Sequence, residues 1–169
     1  MTLGLTLLPE FDQEMAGTRR TLARVPADQR AWRPHPKSFT LGALASHVAN
    51  IPSWIAYTIE RDALDLAPVG QPPLRQEELT SVEALLAHFD RHAAEGRALI
   101  EAASDERLLG PWTLQAGGRD LFTLPRLACL RTWVLNHGIH HRAQLGVYLR
   151  MNDVPVPSVY GPSADESGM

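Results

Sequence analysis

The sequence has a single cysteine, Cys129, so no disulfide can close within the chain. One free thiol without a disulfide framework fits a reducing compartment, and a cytoplasmic location is the expectation. Lysine is equally scarce: Lys37 is the only one. Basic residues number 16 against 19 acidic ones, and no stretch is dense in arginine. Phosphate backbones need a positive footprint, so nucleic acid is not an expected partner. No apolar run approaches the roughly 18 residues of a membrane-spanning helix. The stretch Met1 to Leu8 carries no positive charge and makes a poor secretory leader. Neither a membrane nor secretion is expected. Internal repeats and low-complexity tracts are also lacking, which sets aside solenoids and arrays.

What is present fits one globular unit. A chain of 169 residues, 44% hydrophobic and 21% charged, has an ordinary soluble composition and the length of a single domain spanning 1–169. A domain of this size buries about 70% of the surface its unfolded chain exposes, so it needs no metal or disulfide merely to fold.

Four helical segments are expected. The first runs from Pro9 to Val25, with Pro9 in its first turn and Pro26 at its end. The second starts at the N-cap Thr40 and continues to Leu64. Its apolar stripe is Leu41, Leu44, Val48, Ile51, Ile55 and Ile59, and Pro52 should kink it. A proline-rich linker, 68–73, follows. The third opens on Thr80-Ser81-Val82-Glu83, a capping-box pattern, and ends near Ser104. Trp112-Thr113-Leu114 and Leu121-Phe122-Thr123 flank Gly117-Gly118, which reads as a small β-hairpin. The fourth helix runs from Leu124 to Asn152. An all-α bundle with one short hairpin is the natural architecture.

Histidine carries the chemical signal. Of seven, His88/His92 and His137/His141 have the i,i+4 spacing that puts both rings on one helix face. The surrounding stripe separates the two pairs. On the fourth helix, Leu127, Leu130, Val134, His137, His141, Leu145 and Tyr148 recur at steps of three and four, so both histidines occupy core-type positions. They lie within about 60° of the stripe centre, while His140 points about 120° away and Cys129 nearly opposite. Cys129 is therefore excluded as a ligand. Its outward neighbourhood is one guess for a dimer face. His88 and His92, among Asp90, Arg91 and Glu95, read as a boundary or solvated face.

His47 lies on the shoulder of the second helix's stripe, one heptad before Trp54. Two imidazoles on one turn facing a bundle interior cannot readily satisfy each other, and an unpaired buried polar group costs about 1–3 kcal/mol. A metal ion held by His47, His137 and His141 resolves this. Ordered water with carboxylate partners, or plain packing, is the other way to satisfy them.

These residues carry a family resemblance. Trp32-Arg33-Pro34-His35-Pro36, then Leu44-Ala45-Ser46-His47-Val48-Ala49-Asn50-Ile51-Pro52-Ser53-Trp54, and above all Asn136-His137-Gly138-Ile139-His140-His141-Arg142-Ala143-Gln144-Leu145 resemble the DinB-like metalloprotein superfamily. The likeness runs from the first helix to the tail Val154–Glu166. It implies a four-helix bundle of up-down-down-up topology, often homodimeric, with one divalent ion between His47, His137 and His141.

Three neutral imidazoles suit zinc or nickel first, with iron, cobalt or manganese as further candidates. Three protein ligands leave a position open, as in catalytic sites. That position would carry an acidified water or a substrate thiolate. The resemblance implies a metal-dependent enzyme, thiol transferase-like, using a low-molecular-weight thiol with a small-molecule substrate. A hydrolase is the other enzymatic candidate. A non-catalytic, stress-related protein that binds a metal or small ligand is the alternative. Trp54, Gln144 and Tyr148 are expected to line or support the pocket, with plain packing the simpler role for Tyr148. No acidic residue stands out as a general base, and Glu60 points away from the stripe. No catalytic residue is assigned.

Overall fold

The computed structural model describes residues 2–76 and 78–167. Helix α1, Leu3–Leu22, begins six residues before Pro9, because Thr2 caps it by accepting a hydrogen bond from the Leu5 N–H. Leu7, Leu8 and Phe11 then bury into the core, and Pro9 is carried inside the helix. Helix α2, Leu41–Asn50, starts where Thr40 predicts: its hydroxyl accepts from the Ala43 N–H at 3.1 Å.

Pro52 does more than kink the second helix. The chain tightens into a 3₁₀ turn, Ile51–Ser53, and resumes as α3, Trp54–Glu60. α3 stops four residues before the expected Leu64, because Ala63–Asp65 leaves as strand β1. Helix α4, Val82–Ala102, is capped by Ser81, and Ser104 caps a further short helix, α5, Asp105–Leu109.

The expected hairpin becomes part of a three-stranded mixed sheet. Strands β2, Pro111–Ala116, and β3, Arg119–Pro125, pair antiparallel. Gly117 and Gly118 turn between them at φ +63° and +73°, the left-handed region that glycine enters without strain. β1 adds parallel to β2, opposite Thr113–Gln115. The Asp65 carboxylate accepts from the N–H groups of Gly117 and Gly118 at 3.0 and 2.7 Å, tying β1 to the turn.

The last helical stretch is also composite: α6, Arg126–Cys129, a π-helical turn, Leu130–Asn136, then α7, His137–Met151. α1 packs on α4 and α7, and α2 packs on the same two helices. One core cluster joins Phe11, Ile51, Ile55, Ile100, Leu130 and Val134; a second joins Leu22, Leu41, Leu44, Leu85, Phe89 and Leu145. The sheet seals one side, where Trp112 and Leu114 pack on Cys129. Cys129 is fully buried there, which corrects the expectation that it faces outward and marks a dimer face. α6, which carries it, is covered by the sheet, and the π-helical turn that follows breaks the regular helical phase, so phase alone misplaced it. Among the described residues, no helix is long and apolar enough to cross a membrane.

Candidate metal centre

His47 sits in the last turn of α2. The turn is held by Leu44 and Val48, both buried, which leaves His47 on the shoulder of the core, half-buried. His137 is the first residue of α7, directly after the π turn, and His141 follows one turn later. π turns are uncommon and recur at functional sites. The α2–α7 packing brings the three rings together, with centroids 4.5–5.1 Å apart. Their ligand atoms all lie within 4.8 Å of one another. Among the described residues, this is the one group of three or more His, Cys, Asp or Glu side chains that could hold a metal ion.

Hydrogen bonds set the tautomers. The Nδ1–H of His47 donates to the Gln76 Oε1 at 3.1 Å, and that of His141 donates to the Gln144 Oε1 at 2.8 Å. Each of these neutral rings therefore has a bare Nε2 lone pair. The His47 Nε2 lies 2.9 Å from the Nε2 of His137. An ion with bonds of about 2.1 Å places neighbouring nitrogen ligands about 3.0–3.4 Å apart, close to this separation. All three rings are also held neutral. Burial lowers the pKa of His47 and of His141, and burial, then the charges of His141, His47 and His140, lowers His137 to about 4. Three neutral imidazoles, two of them with outer nitrogens tied to amide oxygens, are the donor set that a divalent ion of intermediate softness takes. The residues fit such an ion.

The surroundings are aromatic. Trp54 meets His137 at 5.2 Å and His47 at 5.8 Å, and Trp133 stacks on His137 at 5.7 Å. Phe39 stacks on His47 at 5.9 Å and meets His141 edge-on at 6.3 Å. Of the residues the sequence points to, His47, His137, His141, Trp54 and Gln144 come together. Tyr148 lies instead edge-on against Trp32 at 5.4 Å, a packing position. His140 is exposed, as its helical phase predicts. His88 binds the Asn50 Oδ1 at 3.1 Å, His92 faces Glu95, and neither joins the cluster.

Sequence reasoning missed Phe39, Gln76 and Trp133. Trp133 precedes His137 by one helical turn and could have been found by the rule that picked the pair. Phe39 stands just before the N-cap Thr40, where an apolar residue often packs back on its helix. Gln76 reaches in from the linker and has no local signal.

A mostly helical fold with a small mixed sheet, and a three-histidine cluster able to hold a metal ion, define the class. The family model of the DinB superfamily matches residues 10–145, and the chain belongs to this superfamily. Two crystal structures are similar in fold. A DinB-like protein from Bacillus cereus ATCC 10987 is 20% identical with a TM-score of 0.69, covering 91% of this chain and 95% of that one. A DinB-like protein from Bacillus subtilis is 18% identical with a TM-score of 0.65, covering 91% and 97%. Among proteins with curated descriptions, none matches this sequence.

Proposed function

We propose that the protein holds one divalent metal ion through His47, His137 and His141 and acts on a small molecule, as a metal-dependent enzyme of the thiol transferase type. The observation that carries the reading is the convergence of three neutral imidazoles from two helices, two with bare Nε2 lone pairs set by Gln76 and Gln144. When bound there, zinc or nickel would supply a Lewis acid with an open position. The chain's residues do the rest. Gln76 and Gln144 fix ring orientation, and Trp54, Trp133 and Phe39 keep the surroundings apolar. The cluster contains no carboxylate to serve as a general base. That favours a substrate arriving as an anion, such as a thiolate, over hydrolysis, in which no carboxylate of the cluster would take up the proton of the attacking water. As the scaffold for this site we propose an up-down-down-up four-helix bundle, which the packing of α1 and α2 on both α4 and α7 supports.

Elemental analysis of protein purified without a histidine tag tests the reading. One zinc or nickel per chain is expected in the unaltered protein, and loss of that metal in His137→Ala. Metal-free protein with an unchanged melting temperature in His137→Ala would overturn it. Turnover of a thiol with an electrophilic acceptor by the loaded protein would establish the enzyme. Tight ligand binding without turnover would leave a binding protein.

A further inference from the structure

A cavity of about 360 Å³ lies beside the histidine cluster. Trp54, Tyr57, Trp112, Trp133, Leu66 and Leu74 give it largely apolar walls. It shares a wall with the cluster, because Trp54 and Trp133 pack on His137 and Gln76 accepts from His47. Of its thirteen lining residues, Arg75 is the one that carries a formal charge. Arg75 adjoins Gln76 in the chain, so its attachment lies at the histidine end.

Each feature selects part of a ligand. Walls of indole, phenol and leucine offer water few partners and favour an apolar body, best an aromatic one. Neutral imidazoles leave the charge of a divalent ion uncompensated, and Arg75, an exposed residue of the lining, adds a second positive centre. Both attract an anion. Resting on the metal reading above, we propose that this cavity takes the apolar body of a small amphiphilic anion. The class is aryl-alkyl, with a single thiolate or carboxylate group directed toward His137.

Three of the four tryptophans, Trp54, Trp112 and Trp133, line the cavity, so intrinsic fluorescence reports its occupancy. Metal-loaded and chelator-stripped protein would be titrated with 4-phenylbutanoate, its neutral analogue 4-phenylbutanamide, and acetate. Fluorescence and calorimetry would be followed together. In loaded protein 4-phenylbutanoate should bind about tenfold more tightly than the amide, and acetate should leave the fluorescence unchanged. Stripping the metal should remove most of the advantage of the acid and leave amide binding intact.

Leu74 is 51% exposed, so Leu74→Glu should fold normally. It should weaken 4-phenylbutanoate by at least about tenfold, with circular dichroism and metal content unchanged. Arg75→Gln should narrow the gap between acid and amide. The proposal is overturned if neither aryl probe moves the fluorescence of loaded protein, if acetate binds as tightly as 4-phenylbutanoate, or if Leu74→Glu leaves the affinity unaltered. Protein that takes up no metal, whether as purified or on adding zinc or nickel, yet binds both aryl probes with loss in Leu74→Glu, keeps the cavity and removes the metal reading. Stoichiometric metal without aryl binding does the reverse.

Discussion

At the scale of single residues, the cluster depends on which nitrogen of each ring carries a proton. Gln76 and Gln144 take the Nδ1–H of His47 and His141, which turns two bare nitrogens away from the amides and leaves them for a metal. The same environment that keeps the rings neutral makes the metal-free fold acid-sensitive. The pKa of His137 falls from 6.5 to about 4 on folding, chiefly through burial. Well above pH 6.5 the ring is neutral in both states, so it adds no pH dependence there. Between 6.5 and about 4 the unfolded chain takes up a proton that the folded chain resists, so stability falls as pH falls. His47 and His141 act in the same direction. Denaturant unfolding of chelator-treated protein should show a midpoint that is flat well above pH 6.5 and declines toward pH 4. His137→Gln should make that decline shallower. A midpoint that rises on acidification would contradict the burial that shifts these groups.

The three histidines and their two helices were legible in the sequence because His137 and His141 stand where the apolar stripe requires core residues. Trp54 was legible by its heptad relation to His47. Gln76 was not, because its contact spans 29 residues of chain and depends on how a proline-rich linker returns. Tyr148 shares the helix phase of the ligands, yet Trp32 occupies the space beside it.

At the scale of elements, the long helices read correctly in their cores and less well at their interruptions. Pro52 predicts a disturbance, and the structure resolves it as a 3₁₀ turn between two α segments. The π turn before His137 has no proline or glycine to announce it. β1 is only three residues long, too short for alternation to show, and its pairing with β2 crosses some fifty residues. The expected hairpin was therefore found without its third strand.

One close approach tests the packing of elements. A Cβ added at Gly4 would collide with the backbone carbonyl oxygen of Ile100, so α1 meets the end of α4 with only a hydrogen between them. Gly4→Ala should separate the two helices and destabilise the protein by about 1–3 kcal/mol, despite alanine's better helix propensity. Thermal unfolding would measure it, and an unchanged or raised melting temperature would show that the approach is looser.

At the scale of the whole molecule, the tail is bound into the fold through a buried ion pair. Arg142 meets Glu14 at 2.7 Å, both nearly buried, and donates also to the Glu14 carbonyl and the Thr18 hydroxyl. Tyr160 closes the network: its hydroxyl donates to Glu14 at 2.8 Å and accepts from Arg142 at 2.6 Å. α1, α7 and the tail are thereby joined one residue from His141. Removing one partner strands a buried charge, so Arg142→Met should cost about 3–5 kcal/mol, whereas exchanging both Arg142 and Glu14 for apolar residues should cost less. Chemical denaturation of the two variants decides this, and a double variant weaker than the single one would refute the network's role.

The metal centre itself is addressed most directly by X-ray absorption at the metal edge of the protein purified without a tag. The account predicts a first shell containing three imidazole nitrogens at about 2.0–2.1 Å, with their outer-ring scattering reduced in His47→Ala. An absent edge, or a shell of sulfur or carboxylate oxygen without imidazole scattering, would contradict it.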